Sequence, residues 1–275
     1  MKVLITGAAG MLGQDVRRVA ELSGHEAIAL DRAALDVTDA GAVEGLFAEL
    51  RPDVAINCAA WTDVDGAESA EQDALKLNAD AARNVAAAAA SVDAAVVLPS
   101  TDYVFDGTAE RPYVESDPTN PLSAYGRTKL VGEIEAAAAN TRSFVVRTSW
   151  LFGAGGRNFV DTMLGLAVRR EVQVVHDQFG SPTYTAHLAD GLLRLAATED
   201  YGTHHMTADG HCSWYEFARE IFARAGVDCE VTPVTTDEFP RPAPRPAYSV
   251  LASEWPRPIH LPDWRDGLRS YLAER

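Results

Sequence analysis

Two residues suited to proton transfer stand four apart in the stretch Tyr-Gly-Arg-Thr-Lys, namely Tyr125 and Lys129. Residues at this spacing share one face of a helix. The lysine can therefore lower the pKa of the phenol, which at about 10 is otherwise too high for catalysis at neutral pH. Thr101 follows a predicted strand, and its hydroxyl can hold a carbonyl oxygen as an alkoxide develops. Together the three residues predict hydride transfer to or from a carbonyl, with Tyr125 moving the proton.

Other residues with reactive side chains are less suited to this chemistry. Tyr103 lies two residues from Thr101 but has no lysine four positions later. His204 and His205 are adjacent and point to different sides of any regular element, so we expect them to be structural or on the surface. The three cysteines are far apart, without a Cys-x-x-Cys pair, which argues against disulfides and zinc. We predict no metal.

A glycine-rich loop near the amino terminus predicts a dinucleotide site. Gly7, Gly10 and Gly13 lie between a strand-like run and a helical pattern that begins near Met11. Glycine permits the tight turn and the close approach of a pyrophosphate, and the helix directs free N–H groups at the phosphates. Small residues after the third strand leave room for the cofactor. The predicted cofactor contacts are Gly7, Gly10, Met11, Leu12, Gly13, Asp31, Arg32, Asp36, Val37, Ala59, Ala60, Thr62, Ser100, Tyr125 and Lys129.

The choice between NADH and NADPH stays open at this stage, because two adjacent residues favour different cofactors. Asp31 follows the second predicted strand, where a carboxylate can accept hydrogen bonds from the adenosine ribose and so favours NADH. Arg32 is next in sequence and can bind a 2′-phosphate, which favours NADPH. We therefore expect NADPH or NADH.

The elements that must position these residues alternate between strand and helix. Strands are predicted at 3–6, 27–30, 54–58, 94–99 and 143–148, and helices at 11–23, 38–50 with Thr38 as N-cap, 75–90 and 123–139. This alternation predicts an α/β fold with a doubly wound parallel sheet, a Rossmann domain, over residues 1–150. Residues 151–275 are expected to form mainly a smaller substrate-binding lobe, although a helix at 185–197 returns to the sheet.

The predicted lobe has less regular patterns. A helix is expected at 158–170, a strand at 172–175 and a loop at 178–183. Ser213 and Glu216 form a capping-box pattern for a helix that ends at Gly226. Seven prolines within 240–262 predict loop or extended chain there.

The composition excludes several classes of function. With 40 acidic and 24 basic residues among 275, the formal net charge is −16, which disfavours binding to nucleic acid and to anionic membranes. Cationic side chains and helix N-termini must then bind any anionic ligand locally. There is no signal-peptide pattern and no apolar stretch long enough to span a bilayer, so we expect a cytoplasmic protein.

Several longer stretches resemble the dTDP-4-dehydrorhamnose reductase family, a branch of the extended short-chain dehydrogenases/reductases. The resemblance extends over essentially the whole chain, and three of its stretches lie outside the general superfamily signature. The stretches are Cys-Ala-Ala-Trp-Thr-Asp-Val-Asp-Gly-Ala-Glu (58–68), Ser-Thr-Asp-Tyr-Val-Phe-Asp-Gly (100–107), Arg-Thr-Ser-Trp (147–150), Asp-Gln-Phe-Gly-Ser-Pro-Thr (177–183) and Arg-Pro-Ala-Tyr-Ser-Val-Leu (245–251).

The resemblance implies reduction of the C4 keto group of a dTDP-linked 4-keto-6-deoxyhexose. Thr101, Tyr125 and Lys129 would be the catalytic triad, with Trp150 against the sugar and Arg245 offsetting the diphosphate charge. A homodimer is also expected. The implied substrate contacts are Thr101, Asp102, Val104, Trp150, Gln178, Thr183 and Arg245.

Three other functions remain as alternatives. One is the same reduction on another nucleotide sugar. A second is a nucleotide-sugar epimerase or dehydratase, but dehydratases in this superfamily need a second acid after the aspartate, and Asp102 is followed by Tyr103. The third is a regulatory binding role, as in the β subunit of methionine adenosyltransferase, which the intact triad disfavours.

Overall fold

The computed structural model describes residues 1–275 as twelve strands and ten helices. The strands are β1 (Lys2–Thr6), β2 (Glu26–Leu30), β3 (Val54–Asn57), β4 (Ala95–Thr101), β5 (Ser143–Thr148), β6 (Leu151–Phe152), β7 (Glu171–Val175), β8 (Phe179–Gly180), β9 (Thr183–Tyr184), β10 (Gly202–His205), β11 (Cys212–Ser213) and β12 (Glu230–Val234). The helices are α1 (Met11–Leu22), α2 (Ala40–Leu50), α3 (Val64–Ser69), α4 (Glu71–Leu75), α5 (Ala81–Ser91), α6 (Ala124–Ala139), α7 (Phe159–Leu166), α8 (Thr185–Ala196), α9 (Trp214–Ala225) and α10 (Trp264–Glu274).

Six strands form one parallel sheet in the order β10-β5-β4-β3-β1-β2. The strand order reverses between β1 and β3, and open α/β sheets bind ligands at the carboxyl ends of the strands beside such a switch point. The glycine loop follows β1, and Thr101 is the last residue of β4. The predicted doubly wound parallel fold is therefore confirmed, and its switch point lies where the sequence places the cofactor.

Helices cover both faces of the sheet, so its central strands β1, β3, β4 and β5 are mostly apolar. On one face α1 and α8 pack over β1, β3, β4 and β5, with Leu188 and Leu192 fully buried. On the other face α2, α5 and α6 form a second core that contains Phe47 and the alanines of α5. Alanine lets α5 lie close to the sheet, since it adds little bulk between helix and strands. None of the helices combines the length and the apolar composition needed to cross a membrane.

The smaller lobe has its own core, built from α7, α9, α10 and the short strands β6, β7, β9 and β12 around Phe152, Phe217 and Trp264. The predicted capping box is present, since the Ser213 hydroxyl accepts from Glu216 N and the Glu216 carboxylate accepts from Ser213 N. Gly226 ends α9 in the left-handed region, at φ 65°. Residues 240–262 contain no helix or strand, as their prolines predict.

Several boundaries differ from the predictions for identifiable reasons. The N-cap of α2 is Asp39 and not Thr38, because both the N–H and the hydroxyl of Thr38 donate to Asp36. The helix expected at 158–170 ends at Leu166 and continues as a 3₁₀ turn, and the loop expected at 178–183 contains β8 and the first residue of β9. Strand β10 was missed because its sequence, Gly-Thr-His-His, lacks an apolar run.

The helical region expected at 75–90 is longer and interrupted. It begins with α4 at Glu71, passes through a π-helical turn at Lys76–Asp80 and continues as α5. Such π turns insert one extra residue and are frequent near functional sites. Here the turn places Asn78 between two parts of the candidate site.

We expect the core of the sheet to dominate stability. Leu188→Ala removes a fully buried side chain, which should lower the free energy of unfolding by about 2–5 kcal/mol. Leu22→Ala is the matched control, because Leu22 is 78 % exposed and its truncation should change stability by less than about 0.5 kcal/mol. Urea unfolding followed by circular dichroism measures both, and equal losses in the two variants would contradict the packing described here.

Candidate active site

Three cavities adjoin one another along the carboxyl edge of the sheet. The first has a volume of about 570 Å³ and lies beside the glycine loop and the residues after β2. The middle cavity, of about 640 Å³, shares Gly10, Cys58 and Ala60 with the first. The third, of about 590 Å³, lies in the smaller lobe and shares Trp214 and Arg245 with the middle one. Because neighbouring cavities share lining residues, the three form one continuous cleft.

The three predicted catalytic residues all line the middle cavity. Thr101 ends β4, whereas Tyr125 and Lys129 lie one turn apart on α6. Helix α6 begins at a doubly capped end, where Ser123 Oγ accepts from Gly126 N and Glu68 accepts from Ala124 N. A Cβ at Gly126 would come within 2.2 Å of Tyr103 O, so the first turn of α6 lies directly on the turn after β4. This contact places Tyr125 beside Thr101.

Burial raises the pKa of Tyr125 to about 12, opposed by its hydrogen bond with Thr101 and reinforced by the nearby charge of Asp102. The phenol therefore keeps its proton at neutral pH, as a general acid in a reduction must. This differs from the prediction that Lys129 lowers the pKa of Tyr125. The ammonium of Lys129 instead donates to Pro99 O over 2.8 Å.

Lys129 is itself strongly affected by its surroundings. Burial lowers its pKa to about 8, while the charge of Glu133 and the thiol of Cys58 act in the opposite direction. Glu133 is one turn further along α6 and forms a buried ion pair with Arg147 of β5, with Nη2 and Oε2 2.8 Å apart. The Ser100 hydroxyl also donates to Glu133. Ser100 lines the cavity and also connects it to this buried network.

Asn78, in the π-helical turn, connects the residues after β3 to α6. Its side chain accepts from Trp61 N over 2.8 Å and donates to Thr128 Oγ1 over 3.0 Å. A Cβ at Gly132 would come within 2.1 Å of Asn78 O, so α6 and the turn are in direct backbone contact. The π turn thereby fixes α6, and with it Tyr125 and Lys129, relative to the cofactor side of the cleft.

The glycine loop has the geometry of a phosphate-binding turn. Gly7 is at φ 62°, and a Cβ there would lie 2.5 Å from Ala59 N. A Cβ at Gly13 would lie 2.4 Å from Gly7 O, so this position also has room only for glycine. Gly10 is the N-cap of α1 and has no side chain that could accept from the first N–H groups of the helix. These N–H groups are therefore left directed at the cleft.

Asp31 and Arg32, which favour different cofactors, have different surroundings in the structure. Asp31 lines none of the three cavities, and its carboxylate caps its own turn by accepting from Ala33 N and Ala34 N. Arg32 lines the first cavity together with Lys76 and Asp36. The pKa of Asp36 is lowered by hydrogen bonds from Thr38 and, to a smaller extent, by the charges of these two cations. Two cations at the adenosine end suit a 2′-phosphate and favour NADPH.

The substrate side of the middle cavity has an aromatic wall. The rings of Trp150 and Trp214 stack with centroids 3.5 Å apart and planes 5° apart. Trp150 has a positive φ of 48°, and a Cβ at Gly180 would lie 2.5 Å from its indole. This strained, tightly enclosed conformation holds the indole at the wall of the cavity.

Most of the predicted site residues line the cleft, but three do not. The first cavity contains Gly7, Gly10, Arg32, Asp36, Val37, Ala59 and Ala60. The middle cavity contains Gly10, Met11, Leu12, Gly13, Ala60, Thr62, Ser100, Thr101, Asp102, Tyr125, Lys129, Trp150 and Arg245, and the third contains Gln178 and Arg245.

The exceptions are Asp31, described above, Val104 and Thr183. Val104 is fully buried and packs with Phe105 and Tyr113, because the 3₁₀ turn after β4 directs it into the core. Thr183 is also fully buried, and its hydroxyl donates to Ser181 O and accepts from Ala208 N. Both are therefore structural and do not contact the cleft.

Sequence reasoning missed a carboxylate that joins the two parts of the protein. Asp65, on α3, pairs with Arg241 and Arg245 and accepts from Ala243 N. These partners belong to residues 240–246, which we call the proline strap. Burial acts to raise the pKa of Asp65, but the two arginines outweigh it and lower the pKa to about 2. The strap therefore holds Arg245 at the junction of the middle and third cavities.

The parallel sheet, the glycine loop and the Thr-Tyr-Lys set together define the class: a nucleotide-dependent oxidoreductase of the short-chain dehydrogenase/reductase type. Within it, the chain belongs to the RmlD family, since the family's sequence model, described as the RmlD substrate binding domain, matches residues 1–275. This confirms the resemblance noted in the sequence.

Individual relatives agree with the family assignment. The chain is 45 % identical to a dTDP-4-dehydrorhamnose reductase of Streptomyces griseus, over 92 % of this chain and 86 % of that protein. It is 46 % identical to a probable dTDP-4,6-dihydroxy-2-methyloxan-3-one 4-ketoreductase of Streptomyces antibioticus, over 100 % and 95 %. A solved dTDP-4-dehydrorhamnose reductase of Bacillus anthracis, in complex with NADP, superposes with a TM-score of 0.96 at 41 % identity and covers 100 % of both chains.

The different positions of Arg32 and Asp31 predict separate effects of the two residues on cofactor use. Arg32→Ala should raise the KM for NADPH about tenfold or more, because a charged hydrogen bond contributes about 1.5–3 kcal/mol, and should leave the KM for NADH nearly unchanged. Asp31→Ala is the matched control and should alter both values little. Cofactor titrations by fluorescence or initial rates measure these effects, and equal losses for both cofactors in Arg32→Ala would refute the assignment.

Proposed function

We propose that this protein reduces the C4 keto group of dTDP-4-dehydro-L-rhamnose to give dTDP-L-rhamnose, with NADPH as the preferred reductant. The observation that carries the proposal is the position of Thr101, Tyr125 and Lys129 where the dinucleotide cavity meets the cavity of the smaller lobe. A carbonyl carbon held there lies between a hydride donor on one side and a buried, protonated phenol on the other.

Each residue of the triad has one role in this reaction. NADPH, when bound, supplies the hydride that reduces the carbonyl carbon. Thr101 holds the carbonyl oxygen, and Tyr125 donates its phenolic proton to that oxygen as negative charge develops. Lys129, held by its hydrogen bond to Pro99 O, would supply positive charge for binding the ribose hydroxyls of the cofactor.

The third cavity fits the nucleoside diphosphate part of the substrate. Its wall combines apolar side chains, among them Phe159, Leu166 and Phe239, with Gln178 and the arginines of the proline strap. Arg245 lies where this cavity meets the middle one, which supports a role in binding the diphosphate with the sugar between Trp150 and Tyr125. A planar base would then occupy the apolar part of the third cavity.

A reductase acting on a related dTDP-linked keto-sugar is the second candidate, because the Streptomyces antibioticus relative is a probable 4-ketoreductase with a different substrate. Both candidates use the same triad and differ only in the sugar that fits against the Trp150 and Trp214 rings. The formal charge of −16 disfavours nucleic acid as a partner. A homodimer and a cytoplasmic location stay predictions, of which sedimentation velocity tests the first.

Tyr125→Phe tests the central role of the phenol. The variant should lose about 10²–10⁴-fold in kcat for NADPH oxidation with dTDP-4-dehydro-L-rhamnose, the usual contribution of a general acid. The KM for NADPH should change little, since the ring itself is kept. Tyr103→Phe is the matched control: its ring lies 6.1 Å from that of Tyr125 and it has no role in the proposed proton transfer.

Absence of NADPH oxidation by the wild-type protein, with binding of the cofactor intact, would point to another keto-sugar or to a regulatory role. Full activity of Tyr125→Phe would rule out the mechanism described here.

The ion pairs of Asp65 predict an effect on substrate binding rather than on chemistry. Asp65→Asn should release the proline strap and raise the KM for the nucleotide sugar about tenfold, because it weakens charged hydrogen bonds that contribute about 1.5–3 kcal/mol. The value of kcat should stay within about threefold, since Asp65 lies outside the triad. Asp80→Asn, which weakens an exposed pair with Arg83, is the control. A loss confined to kcat would contradict this role.

A further inference from the structure

We propose that Asp102 returns a proton to Tyr125 through the Thr101 hydroxyl after each reduction. This inference rests on the proposed function, since it concerns the step after proton transfer to the substrate. Once Tyr125 has donated its proton, a second turnover requires that the buried phenolate is protonated again. The structure places a carboxyl group and a hydroxyl in series with the phenol, in the order Asp102, Thr101, Tyr125.

The three residues of this series lie together at the wall of the middle cavity. Asp102 is the first residue of the 3₁₀ turn after β4, and its Oδ1 lies 3.2 Å from Thr101 Oγ1. Thr101 and Tyr125 line the same cavity, and the neighbouring Thr101 hydroxyl acts to lower the pKa of the Tyr125 phenol. The other carboxylate oxygen of Asp102, Oδ2, accepts from the Ser249 hydroxyl. Asp102 is only 2 % exposed, yet it lines the middle cavity and can exchange protons with water there when the product has left.

The surroundings of Asp102 favour a carboxyl group that can hold a proton. Burial raises its pKa to about 7, and the hydrogen bonds from Ser249 and Thr101 limit that rise. The cations that line the same cavity are Lys129, Arg157 and Arg245, and none of them forms an ion pair with Asp102: Lys129 donates to Pro99 O and Arg245 pairs with Asp65. The other titratable groups that line this cavity are the phenols of Tyr103 and Tyr125, whose pKa values are raised by burial and also by the charge of Asp102, and the thiol of Cys58, whose pKa is raised by burial.

Each proton that moves in the proposed relay has a donor and an acceptor. Tyr125 Oη–H gives its proton to the substrate oxygen and becomes a phenolate. Thr101 then gives its hydroxyl proton to that phenolate and takes one from Asp102 Oδ1, so that the O–H bond of the carboxylic acid breaks as a new O–H bond forms on Thr101. The net result is a protonated Tyr125 and an ionised Asp102, which recovers its proton from water in the cavity. No oxidant or reductant is needed beyond the hydride of the main reaction.

Lys129 is the competing proton source. It lines the same cavity, and burial lowers its pKa to about 8. The two sources differ in their response to Ser249, whose hydrogen bond stabilises the ionised form of Asp102 and does not involve Lys129. Removing that hydroxyl should raise the pKa of Asp102 and leave the pKa of Lys129 unchanged.

The first experiment is the pH dependence of kcat for NADPH oxidation with dTDP-4-dehydro-L-rhamnose. A relay that needs protonated Asp102 operates below its pKa and is lost as the pH rises, so kcat of the wild-type protein should fall above about pH 7. Ser249→Ala should move this fall to higher pH. Ser253→Ala removes a hydroxyl that donates to Glu115, away from the triad, and is the control that should leave the fall in place.

The second experiment separates the first turnover from later ones by stopped-flow absorbance of NADPH. Asp102→Asn has nearly the same shape but no proton to give, so its steady-state rate should fall about 100-fold. Its first turnover should fall by less than about tenfold, because Tyr125 starts protonated, which would appear as a burst of one NADPH per active site. The affinity for NADPH, measured by titration, verifies that the variant is folded.

The outcomes are distinct. An alkaline fall at the same pH in Ser249→Ala and in the wild-type protein, or an Asp102→Asn variant without a burst or without a steady-state loss, would overturn the relay while leaving the reductase proposal intact. No turnover by the wild-type protein with any nucleotide keto-sugar would overturn the proposed function, and the relay with it.

Discussion

The close contact between α6 and its neighbours is the constraint on which the site depends. Two glycines of this helix meet backbone oxygens where no side chain has room: Gly126 at Tyr103 O and Gly132 at Asn78 O. The first contact places Tyr125 beside Thr101, and the second fixes the helix against the π-helical turn and the residues after β3. Because backbone meets backbone at both points, the geometry of the triad does not rely on flexible side chains.

A buried polar network next to the triad sets the electrostatic surroundings of Lys129. Glu133 and Arg147 form an ion pair with side chains that are only 6–7 % exposed, and the Ser100 hydroxyl contributes a further bond. A buried pair of this kind stabilises a fold little compared with apolar packing, but removing one partner leaves an uncompensated charge. The pair also affects the site, because it holds the negative charge of Glu133 one helical turn from Lys129. This charge favours the ammonium form of Lys129, which burial opposes.

The predicted site residues lie mainly along the first and middle cavities, and only Gln178 and Arg245 among them line the third. Gly7, Thr101 and Tyr125 follow local rules, namely a glycine turn after a strand, a polar residue at a strand end and helical spacing. The roles of Asp65, Trp214 and Ser249 arise from contacts between residues far apart in the sequence, which no periodicity encodes. Val104 and Thr183, which the family resemblance implied as substrate contacts, are fully buried, a property that depends on the folded chain. The high pKa of Tyr125 was missed because it comes from burial, a property of the folded chain.

The cleft contains local positive charge although the protein as a whole is strongly acidic. A protein with a formal charge of −16 repels anions at long range, yet the proposed cofactor and substrate each carry phosphates. The cleft counters this with cations spaced along its length: Arg32 and Lys76 in the first cavity, Arg157 in the middle one and Arg245 at the entrance to the third. The amino end of α1 adds its free N–H groups. Fields from exposed charges decay within about 8 Å at physiological ionic strength, so these local groups, rather than the net charge, govern binding once a ligand has entered.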